Sequence, residues 1–432
     1  MTSALIASRS LAARPAALLT VARYGPWVAG ATAFALLPLV FRSGTALTMM
    51  SLMGISIVFA LSYNMLLGQT GMLSFGHAVY FGIGAYFAVH CMNVVITGNL
   101  PVPLAVIPLV GGVGGLFFAM LFGWVSTKHS GTAFAMISLG LAELVGSSAL
   151  ILRSFFGGEE GVTTDRTRLL RLFGVNFGQQ IEVYYLIAAW CFVCMFLMFR
   201  FTRTPLGRMC NAVRDNAERA QFVGYNPQMV RFLAFCVSGF FAGVAGGLAA
   251  VHFEIANSAY FSATQSGNVL LATFIGGRSY FVGPVMGAVL VSYLQVMLSD
   301  ITEIWQLYFG LLFIVMVMFA PQGMAGLVMM HPPLWAQRTL LKVLAAYAVT
   351  LPPALAMLTG IALGIEMTYR LTVKATEGAG MSFLTVPLAA DRPLAWLSAG
   401  ILVIGGFVLF RLTWPIVMSA WTNVESRKEQ AP

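Results

Sequence analysis

One stretch of the sequence reads Leu104-Ala-Val-Ile-Pro-Leu-Val-Gly-Gly-Val-Gly-Gly-Leu-Phe-Phe-Ala-Met-Leu-Phe-Gly-Trp124, in which every residue is apolar, glycine or proline. A run of about 20 such residues is long enough to cross the hydrocarbon core of a bilayer as a helix. The runs Leu307 to Ala320 and Ile401 to Phe410 have the same character, whereas strands of a membrane barrel would alternate in polarity. The sequence therefore predicts an all-α fold, a polytopic membrane helix bundle.

The composition of the whole chain supports this prediction. Of its 432 residues, 59% are apolar and 9% are charged, with a mean hydropathy of +0.85; soluble domains carry about a quarter charged residues. An ordinary soluble enzyme is therefore excluded. The five cysteines lie in or beside apolar segments, so we expect no disulfide framework. Cys191 and Cys194 are interpreted as small buried residues rather than metal ligands.

Further apolar spans follow from a window of about 19 residues. They lie near 24–41, 45–67, 72–95, 101–125, 132–152, 182–201, 231–251, 283–298, 304–320, 339–362 and 394–414. A shorter segment, 263–277, ends in Gly276-Gly277 and is followed by Gly283-Pro284. We expect it to be half of a broken or re-entrant helix, which is tolerated only where protein or a cavity shields the backbone.

The distribution of charge predicts the orientation in the membrane. With the N-terminus in the cytoplasm, 16 of the 24 Lys and Arg residues lie inside, and most acidic residues lie outside. Because positive charge marks the cytoplasmic side, this placement is favoured, and the net charge of +9 needs no nucleic-acid partner. Segments 126–131, 202–230 and 321–338 are then cytoplasmic, while 153–181 and 363–393 face outward. Residues 1–25 are basic and contain no acid, which fits either a basic cytoplasmic tail or an organellar transit peptide.

The longest cytoplasmic loop contains a predicted amphipathic helix. Pro205 and Gly207 open it and Gly224 closes it, which brackets a helix of about four turns. Arg214 with Glu218, and Asp215 with Arg219, are then expected as i,i+4 ion pairs. Such a helix either docks in a groove of a partner protein or lies on lipid headgroups, and composition alone leaves both open.

Two further features lie within the apolar spans. Gly68 to Tyr86 contains five glycines and His77, which implies close backbone approach; His77 is interpreted as structural in preference to a proton relay or a pathway residue. Glu143 is the acid in the middle of a span, and we expect it to face protein or water because its insertion costs about 2.5 to 3.5 kcal/mol. Pathway lining and a structural hydrogen bond both remain open for it.

At these residues the sequence resembles the permease subunits of branched-chain amino-acid ABC importers, and more closely the longer of the two permease types. The matching pieces run in order through about residues 45–328, and they are Ser62 to Gly68 continuing to Tyr86, Leu139 to Glu143, Gly207 to Gly247, Gly276 to Ala288, and Phe319 to Leu327. The resemblance implies a bacterial inner-membrane subunit, and it therefore favours a basic cytoplasmic tail at residues 1–25 over a transit peptide. Its expected partners are a second permease, two cytoplasmic ATP-binding subunits, a periplasmic substrate-binding protein and membrane lipid.

The resemblance also assigns expected roles. The cytoplasmic helix looks like the coupling helix that enters an ATPase groove, and its candidate residues are Arg208, Arg214, Asp215, Glu218, Arg219 and Gly224. The candidate residues of the substrate pathway are Gly71, Ser74, His77, Glu143, Gly276 and Gly277. None of the four lysines follows a glycine, so the chain lacks a phosphate-binding G-x-x-x-x-G-K-[ST] loop. No cofactor, metal site or catalytic residue is predicted.

Other interpretations and departures stay open. An ion-coupled secondary transporter, with Glu143 or His77 coupling protons, is the alternative function, and a membrane enzyme is disfavoured because the five histidines lie in separate segments.

The expected organisation is a permease domain at 26–328 and an extension at 329–432 with two spans, beyond the resemblance. The substrate is a branched-chain amino acid or a related small polar solute such as urea, an amide or an aromatic acid. We also expect Gly68–Gly84 and Gly276–Pro284 to meet near the centre of the bundle.

Overall fold

The computed structural model describes residues 16–170, 177–331, 340–374, 378, 380–383 and 386–429. Within these residues nine helices are long and apolar enough to cross a membrane, and one bent pair adds a tenth span. The predicted all-α membrane bundle is therefore confirmed. The helices before the C-terminal extension are α1 Ala16–Val40, α2 Gly44–Thr70, α3 Ala78–Gly98, α4 Ile107–Ser126, α5 Thr132–Ile151, α6 Arg153–Phe156, α7 Gln180–Thr202, α8 Pro205–Asp215, α9 Ala217–Phe222, α10 Pro227–Phe253, α11 Ala263–Gly276, α12 Val282–Ile301, α13 Trp305–Phe319 and α14 Gly323–Met329.

Two predicted spans differ from the expectation. Span 24–41 belongs to α1, in which only Trp27–Val40 forms an apolar helix, shorter than the other spans. Span 304–320 ends at Ala320, and the chain continues into α14 after a bend of 50°. The second half of the predicted basic tail is also helical, because α1 begins at Ala16; residues 1–15 lie outside the described residues.

Helix α10 is the centre of the bundle and the most enclosed of the candidate spans. It packs most extensively against α4 and α3, and glycines make the close approach possible. A Cβ added at Gly243 would lie 2.3 Å from the carbonyl oxygen of Gly111, and one added at Gly84 would lie 2.3 Å from that of Gly243. Small residues spaced four apart let membrane helices pack backbone to backbone, and the glycines of all three helices act in this way.

The segment predicted as half of a broken or re-entrant helix forms the short helix α11, whereas the bent pair of helices lies at α13 and α14. Helix α11 has 14 residues and ends at Gly277, whose φ of 107° is open to glycine but not to most side chains. The chain then turns back, and α12 packs on α11 so closely that a Cβ at Gly287 would lie 1.8 Å from the Ala272 carbonyl oxygen. The two helices therefore form a hairpin, and both also pack against α2.

A clamp on the outward side, by the predicted orientation, covers the end of α10. Val162–Thr163 (β1) pairs antiparallel with Ile255–Ala256 (β2). Arg166, 8% exposed, donates from its guanidinium to the carbonyl oxygens of Val251 and His252 at 3.1 and 2.9 Å, and pairs with Glu254 at 3.5 Å. These contacts satisfy carbonyls that a helix C-terminus leaves free. Nearby, hydrogen bonds from the Thr167 hydroxyl and amide lower the pKa of Asp165.

The chain divides into two compact units, the first ending at Leu327 and the second beginning at Val328. The second unit contains α15 Leu340–Thr372, a hairpin of β3 Gly380–Phe383 and β4 Val386–Ala389, and α16 Pro393–Glu429. Leu363 and Met367 of α15 are buried together with Ala395 and Ala399 of α16. The extension thus has a small apolar core of its own.

Candidate functional site

The segment predicted to be a cytoplasmic loop folds as two short helices rather than the predicted single helix. Asn216 is extended, with φ −159° and ψ 104°, and its side-chain oxygen accepts from the Arg219 amide at 2.8 Å as the N-cap of α9. This break removes the i,i+4 geometry, so the predicted pairs Arg214/Glu218 and Asp215/Arg219 are wrong. Arg214 contacts its neighbour Asp215 instead, at 3.0 Å.

One face of this helix pair is buried and the other is open. Cys210, Val213 and Ala220 pack against α10, and burial raises the pKa of the Cys210 thiol to about 12. On the open face lie the predicted coupling residues Arg208, Asp215, Glu218, Arg219 and Gly224. Beside them Phe222 is 90% exposed and Val223 72% exposed. The sequence prediction missed these two apolar residues, because a single helix would have placed them near its closing turn.

Arg214 is exposed and paired with Asp215, and its side chain also reaches the end of α2. Its guanidinium donates to the carbonyl oxygen of Gly68, a group that the last turn of a helix leaves without a backbone partner. Gly71 ends α2 in the left-handed region with φ 70°, and a Cβ there would lie 2.9 Å from Arg214 Cγ. Arg214 thus clamps the end of α2, and its predicted coupling role stays a prediction.

The end of α2 also lies against the α11–α12 turn. A Cβ added at Gly68 would lie 2.7 Å from the carbonyl oxygen of Arg278, which belongs to this turn. The turn also lies against the bend between α13 and α14, because a Cβ added at Gly277 would lie 2.1 Å from the Gln322 carbonyl oxygen. The two glycine-bearing segments therefore touch, but the predicted meeting near the centre of the bundle is wrong. They touch at the C-terminal end of α2, because the break at Gly276 and Gly277 lies beside that end.

Buried polar groups continue from this junction into the bundle. His77 is fully buried, and its Nε2 lies 3.0 Å from the Ser62 hydroxyl. The imidazole stacks on Phe59 at 5.4 Å between ring centroids and meets Tyr63 edge-on at 5.3 Å. Ser238 donates to the Ser62 carbonyl oxygen at 2.6 Å. These contacts hold the ring among aromatic neighbours with a side-chain hydroxyl as its partner, and the structural role of His77 stays a prediction.

The remaining predicted pathway residues lie apart from one another. Ser74 is buried in the linker between α2 and α3, where the Phe75 amide donates to Ser138 Oγ of α5 at 3.0 Å. Glu143 lies on the opposite, exposed face of α5. It therefore does not face the interior of this chain, and the neighbouring Gly140 has open space beside it.

A polar groove that the sequence prediction missed lies between α2, α11 and α12. It encloses a cavity of about 60 Å³, and its polar lining is Ser56, Gln265, Asn268, Ser292 and Gln295. The Ser292 hydroxyl donates to Ser56 Oγ at 3.0 Å. A signal was present in the sequence, since Gln265 and Asn268, and likewise Ser292 and Gln295, are spaced to share one face of a helix. Among the described residues, no cluster of three His, Cys, Asp or Glu is placed to hold a metal.

Comparison with known proteins places these elements in context. Residues 45–321 match the family model described as the permease component of the branched-chain amino acid transport system. The chain is similar to the high-affinity branched-chain amino acid transport system permease protein LivM of Escherichia coli K12, with 26% identity over 62% of this chain and 67% of LivM. LivH of Salmonella typhimurium is 22% identical over 62% of this chain and 90% of LivH. The autoinducer 2 import system permease protein LsrD of Salmonella paratyphi B is 27% identical over 55% of this chain and 70% of LsrD. No solved structure matches significantly.

Proposed function

The chain belongs to the family of permease components of branched-chain amino-acid transport systems, and from that premise we propose how it works within an ATP-driven importer. It is a multi-pass integral membrane protein, and its family is one of transport permeases rather than enzymes. In the proposal it lies in a bacterial inner membrane with its N-terminus in the cytoplasm. A second permease, two ATP-binding subunits and a periplasmic binding protein complete the importer.

The observation that carries the proposal is the α8–α9 pair. It presents charged residues and the exposed Phe222 and Val223 on one side, and on the other Arg214 is bonded to the end of α2. A protein groove on an ATPase would bury the two apolar side chains and meet the charges around them. Movement of the pair would then reach α2 and the adjoining α11–α12 turn directly, because these elements are in contact.

The chain supplies the membrane path and not the energy. It has no phosphate-binding loop of the G-x-x-x-x-G-K-[ST] type, so ATP hydrolysis belongs to a separate subunit. The alternative, an ion-coupled secondary transporter, is not favoured by the family. The positions of its two candidate proton groups also weigh against it, since His77 is enclosed by aromatic rings and Glu143 lies on the outside of α5.

For the substrate we propose a branched-chain amino acid or another small polar solute. LivM and LivH are named for branched-chain amino acids and LsrD for autoinducer 2, which shows that solutes differ within the family. Uptake in proteoliposomes that contain the whole complex should require ATP and survive a proton uncoupler. A panel of leucine, urea, short amides and aromatic acids would identify the substrate. Uptake driven by a proton gradient without ATP would contradict the proposal.

A further inference from the structure

We propose that the groove lined by Ser56, Gln265, Asn268, Ser292 and Gln295 is one wall of the substrate route and selects solutes without net charge. The inference rests on the proposed function and deepens it. Three separate helices bring these side chains together, and all five are half-buried at the edge of the cavity. The groove therefore joins polar groups that lie far apart in the sequence, and no comparison assigns it a role.

The position of the groove within apolar helices is the first argument. Ser56 lies near the middle of α2. Ser292 and Gln295 lie in the stretch Val289 to Leu298 of α12, whose other residues are apolar apart from the hydroxyl of Tyr293. Amide side chains facing hydrocarbon would lose their hydrogen bonds to water, and each unsatisfied polar group in lipid costs several kcal/mol. A half-open row of amides and hydroxyls must face either water or another polar surface.

The size of the cavity is the second argument. At about 60 Å³ it has room for water, since about 10 to 15 Å³ suffices for one molecule. Sites that enclose a whole small ligand measure about 300 to 1,000 Å³. The groove is thus a wall rather than a closed site, and the second permease would supply the facing wall. By the predicted orientation, α11 begins on the outward side, so Gln265 lies toward the binding protein.

The chemistry of the lining is the third argument. The polar lining groups are all hydroxyls and carboxamides, which donate and accept hydrogen bonds and carry no charge. The rest of the wall is apolar and includes Val269 and Val291. Such a surface replaces the water around a neutral polar solute or a zwitterion, but it offers no counter-charge to a solute with net charge. The class that it fits is a small uncharged or zwitterionic molecule with an apolar part.

Cysteine accessibility tests whether the groove carries water and substrate. In a cysteine-free background of the assembled importer, Asn268→Cys and Gln295→Cys are treated with a small, uncharged methanethiosulfonate reagent, which belongs to the charge class that the groove is proposed to admit. The matched controls are Tyr293→Cys and Met297→Cys, which lie on the exposed outer face of the same helix. We expect the groove thiols to react faster than the controls, substrate to slow their reaction, and modification to stop uptake.

A second measurement distinguishes a substrate route from a polar contact surface between the two permease subunits. Gln295→Leu should raise KM for the transported solute about fivefold with little change in kcat, as expected for one uncharged hydrogen bond, while Met297→Leu should change neither. Groove thiols that react no faster than Met297→Cys in any state of the cycle would overturn the inference and leave a polar contact with the partner helix. Failure of the proposed function is seen independently, as wild-type uptake that does not need ATP.

Discussion

Arg214 joins two elements that lie far apart in the sequence. Its carbon chain lies against Gly71 and its guanidinium donates to the Gly68 carbonyl oxygen, so it ties the α8–α9 pair to the span α2. The sequence predicts a coupling role for Arg214, and that role stays a prediction. The predicted partner Glu218 is wrong, because the bond to Gly68 joins residues 146 positions apart and local spacing favours the nearby Glu218. Pairing by helical spacing holds only while the helix is continuous.

We expect Arg214→Ala to uncouple ATP hydrolysis from transport. The change removes a hydrogen bond from a charged donor, which contributes about 1.5 to 3 kcal/mol, and leaves the α2 terminus without its clamp. Hydrolysis by the complex should continue, while solute transported per ATP falls about tenfold, in line with that energy. Arg214→Lys keeps the charge, so its transport per ATP should lie between those of the wild type and Arg214→Ala. Transport per ATP equal to wild type in Arg214→Ala would show that the clamp has no part in coupling.

Glu218 lies on the open side of α9 without an ion-pair partner among the described residues. Charge reversal by Glu218→Lys should therefore leave the fold intact and weaken docking of the ATPase, which lowers uptake and the amount of ATPase that copurifies. Glu160→Lys reverses an exposed charge in the outward segment and should change neither quantity. Normal copurification of the ATPase and normal uptake in Glu218→Lys would show that Glu218 does not contact the ATPase.

At the scale of elements, glycine spacing predicts which helix face packs closely, because glycines four residues apart share a face whatever the neighbouring helices are. Positions 239, 243 and 247 fall on one face of α10, and that face meets α3 and α4.

We expect Gly246→Ala to destabilise the protein by about 1 to 3 kcal/mol, since its Cβ would lie 1.8 Å from the Phe81 carbonyl oxygen. Gly140→Ala, which has open space on α5, is the matched control. The melting temperatures of both variants in detergent test this prediction. Equal melting temperatures would mean that α10 and α3 move apart at little cost in free energy.

The breaks between elements were less predictable than the elements. Gly276-Gly277 and the nearby Pro284 marked the α11–α12 turn in the sequence, because glycine permits a φ that other residues avoid. Asn216 is also a good N-cap, but the charged residues on either side fit a continuous helix equally well. The groove escaped prediction for a different reason: Ser56 and Ser292 share a hydrogen bond across 236 residues, and only the packed bundle shows which faces meet.

At the scale of the whole molecule, the family match and the folded units have nearly the same limit. The match ends at residue 321 and the first unit at Leu327. The polar groove, the His77 contacts, the α11–α12 hairpin and the cytoplasmic helix pair all belong to the first unit. The second unit has its own apolar core between α15 and α16, so its helices have packing partners of their own.

Truncation after Leu327 should therefore leave the transport path working. The expected result is ATP-dependent uptake close to that of the full chain, because every group assigned here to the path or to coupling remains, and α15 with α16 is removed as one unit. Copurification of the second permease and the ATPase with the truncated chain is the control for assembly, and coexpression of residues 328–432 as a separate chain tests for rescue. If the truncated protein inserts and assembles but transports nothing, and the separate chain restores transport, then the second unit supplies part of the path itself. In that case the groove between α2, α11 and α12 would be only a segment of a longer route.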